Sequence, residues 1–196
     1  MFFLNVNGGR KMDTKKRPII IDTDPGIDDA VALAIALNHP NLEVRLITTV
    51  AGNVDVEKTT NNALKIVDFF GKKVPVAKGC NCPLLIQLED SAEIHGETGM
   101  DGFEFPQPIS TCLDIHAVEA MRKEILSSDV PLTIVPIAAL TNIALLLTLY
   151  PEVKENIAEI VMMGGSLARG NTNTSAEFNT YVDPHAAQIV FQSGVP

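Results

Sequence analysis

Two rhythms of apolar and polar positions take turns along the chain. Compact apolar runs at 17–22 (RPIIID), 42–50 (LEVRLITTV), 74–79 (VPVAKG), 131–137 (PLTIVPI) and 158–165 (AEIVMMGG) read as buried strands. Between them, apolar residues recur at three- and four-residue spacing over 28–39, 55–71, 113–128, 140–150 and 183–194, the period of a helix with one face on a core. Asp55 stands where the second helix needs an N-cap and Gly71 where it needs a C-cap, and Asp183, Pro184 and Gly194 delimit the last helix in the same way. Asp28 and Asp29 fall in a first turn, where the helix dipole favours acids. Strands alternating with helices demand parallel pairing through right-handed crossovers. The expected fold is therefore α/β, a doubly wound, mostly parallel open sheet. Two stretches, 80–113 and 166–182, follow neither rhythm, and irregular segments of that length usually carry function.

The two ends carry expectations of their own. The opening MFFLNVNGGRKM has an apolar stretch too short for a signal peptide, with its charges after the stretch and not before it. Residues 1–17 are expected to be a disordered leader, with Met12 an alternative start. Only Val195 and Pro196 follow the last helix, where the alternation calls for another strand. Residues 18–196 are accordingly expected to be the N-terminal portion of one domain in a longer chain, with the sheet incomplete at its C-terminal side.

Composition narrows the partners. A chain of 196 residues with 46% hydrophobic positions builds one sizeable core and gives little reason to expect two. Its net charge of −9, with no basic cluster beyond RKMDTKKR, argues against nucleic acid or an anionic membrane as partner. The most apolar segment, IALLLTL, is far too short to span a bilayer. Three cysteines, Cys80, Cys82 and Cys112, are an odd number without zinc-site spacing, and read as reduced thiols in a cytoplasmic protein.

The chemistry gathers after the strands. In open parallel sheets ligands bind at the carboxyl ends of the strands, and every unusual polar cluster follows one: DTDPGIDD, AGN, HGETG, PIAALTN, and MMGG with GNTNTSAEFN. Asp22, Asp24, Asp28 and Asp29 crowd into eight positions. Two carboxylates about 4 Å apart repel by roughly 4 kcal/mol at an effective dielectric near 20, so such a cluster needs shared protons or a cation. With no His or Cys nearby, a hard ion such as Ca²⁺ or Mg²⁺ suits it. Helix capping and turn formation would explain about two of the four.

The pattern D-x-D-P-G-x-D-D-A, followed in order by TTVAGN, AALTNIA, MMGG and AEFNTYVDPHAA, resembles the inosine-uridine preferring nucleoside hydrolase family, its broad-range ribonucleoside hydrolases above all. The resemblance covers 18–196. It implies a Rossmann-like nucleoside hydrolase fold and hydrolysis of the N-glycosidic bond of ribonucleosides to base and ribose. It also implies a Ca²⁺ cofactor and a homodimer or homotetramer. Residue by residue, it implies that Asp24 and Asp29 bind Ca²⁺ together with the main-chain carbonyl of Ile137, and that Asp24 takes the proton of the metal-bound water. Asp28, Asn53, Glu177 and Asn179 match positions that bind the ribose hydroxyls, while Met163 and Asn171 match positions around its 5′ end. His95 becomes a base-side contact or proton donor. A further calcium-binding aspartate and a neighbouring histidine of the family have no counterpart before Pro196.

The residues themselves leave several alternatives open. An acidic pocket suits a reaction that develops positive charge on the sugar, and attack opposite the leaving base predicts inversion. His95 also reads as a solvated loop residue, and Met163 as core filler. Asn142 reads better as the cap of the helix behind it, and His116 and His185 as surface residues near helix starts. Glu177 and Asn179 flank Phe178, and an extended backbone would set both on one face. A haloacid-dehalogenase-like phosphatase also carries D-x-D after a first strand, but it wants Thr or Val where Gly26 stands. A non-catalytic nucleoside-binding module, or a truncated remnant, is the rival of another class.

Overall fold

The computed structural model describes residues 16–196, so all of the leader but its last two residues lies outside the described part. Five strands, β1 (Arg17–Thr23), β2 (Leu42–Thr49), β3 (Val76–Lys78), β4 (Leu132–Pro136) and β5 (Ile157–Ile160), form one sheet in the order β3-β2-β1-β4-β5. All four pairings are parallel. The doubly wound α/β expectation holds.

Alternation along β1 splits its isoleucines between two cores. Ile19 and Ile21 join Ile47, Val76 and Leu33 on the face covered by α1 (Ile27–Asn38) and α2 (Val56–Phe69). Ile20 joins Leu46, Leu132 and Ile134 on the other face. There the cover comes from α4 (Ala117–Ser127), α5 (Thr141–Leu149) and α7 (Pro184–Phe191). A strand buried on both faces must be apolar at every position, which is why RPIIID carries no inward/outward alternation of polarity. Asp55 caps α2 as expected, accepting from the Lys58 amide at 3.0 Å, and Gly71 follows that helix with φ +61.

The two irregular stretches hold short helices. Within 80–113 lies α3 (Ala92–His95), and 166–182 closes on α6 (Phe178–Val182). The fifth strand is shorter than the apolar run suggests, yet Val161 and Met163 still donate to the carbonyls of Ile134 and Pro136, so the chain stays beside β4 up to the glycines. Among the described residues, no helix is long and apolar enough to cross a membrane.

The strand order decides where a ligand can enter. The chain adds β2 and β3 on one side of β1, then returns to add β4 and β5 on the other. The crossovers leaving β1 and β4 therefore diverge, and a crevice opens between their carboxyl ends.

Candidate active site

The crevice holds a cavity of about 380 Å³. Asp28, Asp29, Asn53, His95, Ile137, Met163, Asn171, Glu177 and Asn179 all line it. These residues come from the five stretches of chain that follow the five strands.

Its floor is the turn between β1 and α1. Asp29 sits in the first helical turn, where its Oδ2 accepts from the Gly26 amide at 3.0 Å and its Oδ1 from the Thr23 hydroxyl at 2.8 Å. One carboxylate thus satisfies an amide that the helix start leaves orphaned and still lines the cavity. Asp24 lies behind it, and its Oδ2 accepts from the Asn53 amide at 2.7 Å. The other oxygen, Oδ1, is buried without a hydrogen-bond partner. The Asn53 side chain bridges the two acids, its Nδ2 donating to the Asp24 carbonyl at 3.0 Å and to Asp29 Oδ2 at 3.2 Å. Glycine is required beside them: a Cβ at Gly26 would stand 2.7 Å from Asn53 Nδ2 and 2.8 Å from His95 Nδ1, and one at Gly52 would overlap the Asp24 carboxylate.

Of the four aspartates of the motif, Asp28 and Asp29 line the cavity, while Asp24 and Asp22 do not. Asp22 is fully buried, its Oδ1 accepting from the Thr48 hydroxyl at 2.5 Å and from Asn142 Nδ2 at 2.8 Å, and its Oδ2 has no partner. Asn142 corrects the sequence reading. It is not a helix cap: from inside α5 its Nδ2 also donates to the Thr49 carbonyl at 2.9 Å, and its Oδ1 accepts from the Cys80 amide at 3.0 Å. The side chain ties the ends of β1 and β2 to the segment after β3, a buried polar junction made by residues far apart in sequence.

The opposite wall comes from the second irregular stretch. Glu177 is the N-cap of α6, accepting from the Asn179 and Thr180 amides at 3.0 and 3.3 Å, and from the Gly165 amide at 3.0 Å. The extended alternation expected around Phe178 does not occur, because the helix begins at Phe178 itself. Capping gives the same result by another route: it folds the Glu177 carboxylate back over the turn beside Asn179. Asn179 Nδ2 donates to the carbonyls of Ile137 and Met163, each at 3.1 Å. Met163 is no core filler, being 48% exposed at the cavity, and Asn171 Oδ1 accepts from the Phe178 amide at 2.8 Å.

His95 closes the near side. Its Nδ1 accepts from the Ile27 amide at the start of α1, at 3.2 Å. A neutral imidazole that accepts at Nδ1 carries its proton on Nε2. Asp90, Ser91, Glu93 and Ile94 also line the cavity, from a stretch without periodicity in which nothing marked them beforehand. Of the other histidines, His116 is itself the N-cap of α4, its Nδ1 accepting from the Val118 amide at 3.2 Å, and burial lowers its pKa. His185 is half-buried, with Nδ1 unpartnered, and not the surface residue expected.

Burial without a counter-charge dominates the electrostatics. Desolvation first, and then the charge of Asp29, holds Asp24 well above the usual carboxylate range. Desolvation pushes Asp29 up to about 6 against the pull of the Gly26 amide and the Thr23 hydroxyl, and pushes Asp22 up to about 7. Among the described residues, no group of three or more His, Cys, Asp or Glu side chains is arranged around a metal position. Two carboxylates, an unpartnered buried oxygen on one of them and a nearby main-chain carbonyl at Ile137 do fit one side of a hard cation's oxygen shell.

The model of the inosine-uridine preferring nucleoside hydrolases matches residues 19–196. The chain belongs to that family. Nucleoside hydrolases similar to it include the non-specific ribonucleoside hydrolase RihC of Klebsiella pneumoniae (strain 342), 53% identical over 178 residues, which are 91% of this chain and 59% of that protein. RihC of Salmonella typhimurium is 52% identical over 90% of this chain and 58% of its own length. Among solved structures, the purine-preferring ribonucleoside hydrolase from Gardnerella vaginalis superposes with a TM-score of 0.87 at 38% identity, covering 92% of this chain and 59% of that one. The plant nucleoside hydrolase PpNRh1 does so with 0.84 at 34% identity. The chain therefore spans about three fifths of the length of these nucleoside hydrolases. Membership also removes the phosphatase alternative, whose motif Gly26 already breaks.

Proposed function

We propose that this chain carries the carboxylate face of a ribonucleoside hydrolase site, splitting the N-glycosidic bond to free base and ribose. The observation that carries the reading is the pair of buried acids, Asp24 and Asp29, bridged by Asn53 at the floor of a cavity large enough for a nucleoside. Asp24, Asp29 and the Ile137 carbonyl would hold Ca²⁺, which when bound offsets the carboxylate repulsion and acidifies water in its shell.

The side chains divide the rest of the work. Asp24 has one oxygen committed to the Asn53 amide and one free, and the free Oδ1 accepts the proton of the attacking water. Asp28, Asn53, Glu177 and Asn179 bind the ribose hydroxyls from two walls and fix the sugar, with Met163 and Asn171 at its 5′ end. As the C–N bond breaks, positive charge grows on the ribosyl ring and the acids around it stabilise that charge. His95, with its proton on Nε2, donates toward the leaving base. Water and base occupy opposite faces, so the anomeric centre inverts.

Three free cysteines suit a cytoplasmic enzyme, and the family suits a homodimer or homotetramer. The test is ribose release from inosine, uridine and adenosine, with and without chelator, by residues 1–196 and by a chimera completed with the part of the Klebsiella relative that lies outside the match. Chelator-sensitive release that D24N abolishes supports the reading. Nucleoside binding without release by either folded protein in Ca²⁺ would leave a binding module instead.

A further inference from the structure

We infer that Ser91 is a positioning residue for the site, acting through Asn53; the inference rests on the calcium and ribose reading above. Ser91 is 8% exposed and holds Asn53 at both ends. Its amide donates to the Asn53 carbonyl at 3.0 Å, and its hydroxyl donates to Asn53 Oδ1 at 2.8 Å. A carboxamide can be turned over at almost no cost in shape, and the two orientations differ only in which end meets which partner. A hydroxyl that donates to Oδ1 stabilises the orientation in which Nδ2 faces the Asp24 carbonyl and Asp29 Oδ2. The reversed amide would set an acceptor against a carbonyl and a carboxylate.

The grip reaches further than one side chain. Ser91 precedes α3, whose His95 takes the Ile27 amide at 3.2 Å, and Asn62 Nδ2 joins the Thr98 and Pro25 carbonyls at 2.8 and 3.1 Å. Three separate links, one direct and two bridged by Asn53 and Asn62, therefore clasp the segment after β3 to the β1–α1 turn. Only the one through Ser91 passes into the pair of acids. A chain of bonds from Ser91 to Asn53 to Asp29 also polarises each member in the same sense, which strengthens the donor that Asn53 presents. Asn53 touches the ligand; Ser91 holds it in the position to do so.

The test uses S91A, which removes the donor, and S91T, which keeps it. Ca²⁺ affinity is measured by competition with a chromophoric chelator, and the Asn53 Nδ2 proton signals are followed by ¹⁵N-edited NMR without metal. The expected result is about fivefold weaker Ca²⁺ binding in S91A, the worth of one neutral hydrogen bond, with the Asn53 amide signals averaged and exchange-broadened. S91T restores both. Unaltered Asn53 signals and unaltered Ca²⁺ affinity in S91A overturn the inference, as does equal behaviour of S91A and S91T, which would assign the effect to packing. If neither the wild-type chain nor the chimera with the Klebsiella relative binds Ca²⁺, the calcium reading fails, while the Asn53 signals still decide the role of Ser91.

Discussion

Replacing Asp22 by Asn should stabilise the chain, and only above mildly acidic pH. Asp22 is wholly buried and pushed up from its ordinary 3.8 to about 7 by desolvation. The folded chain then keeps a proton that the unfolded chain gives up, so stability is highest below the unfolded pKa and falls as pH rises toward the folded one. The slope is about 1.4 kcal/mol per pH unit. Two units, from about pH 5 to about 7, cost about 3 kcal/mol, and above the folded pKa the loss levels off. D22N keeps the carbonyl oxygen that Thr48 and Asn142 address, and puts a neutral NH₂ where Oδ2 now lies without a partner. Asp29 titrates in both proteins and cancels in the difference, whereas Asp24, which the charge of Asp22 also raises, is relieved in D22N and adds to its advantage in the same direction. Urea unfolding of both chains, with chelator present, should show the advantage of D22N growing by about 3 kcal/mol between about pH 5 and about pH 8. A D22N chain that is less stable than wild type at pH 8, or a difference independent of pH, would refute the desolvation account.

Three other outcomes follow from the same structure. N142A removes three hydrogen bonds, two of them buried and the one from the Cys80 amide partly so, and urea melts should show a loss of about 3 kcal/mol. Burial pushes the Cys80 thiol up to about 12 while Cys82 is exposed, so peptide mapping after iodoacetamide at pH 8 should find Cys82 labelled at least about a hundredfold faster. E177A removes the α6 cap and the acceptor for Gly165, and should destabilise by about 2 kcal/mol, with faster hydrogen exchange at Gly165, Asn179 and Thr180.

What the sequence disclosed and what it hid divide along a physical line. The strands were legible because burial on both faces makes them apolar throughout, and the Asp55 cap because its hydrogen bond spans only three residues. The aspartate motif was legible because crowded charge is anomalous without a ligand. Asn142 misled because a polar residue after Leu-Thr at a helix start looks like a cap; its true partners, Asp22 and Thr49, lie 120 and 93 residues away. Glu177 and Asn179 misled because alternation over three residues cannot distinguish a strand from a cap followed by a helix. Ser91 gave no signal at all, since a loop serine becomes informative only when the fold brings Asn53 to it.

The polarity of the sheet has a practical side. Every group in the crevice hangs on a connection that leaves a strand at its carboxyl end, while the turns that lead back into the strands gather at the far rim. The turn at Gly71, Lys72 and Lys73 is one of these, with Gly71 and Lys73 exposed and no part in the cavity. An affinity handle or a fluorophore grafted there would travel with the domain yet stand a full strand length from the chemistry. Immobilised by that rim, the molecule would present its crevice outward to solution.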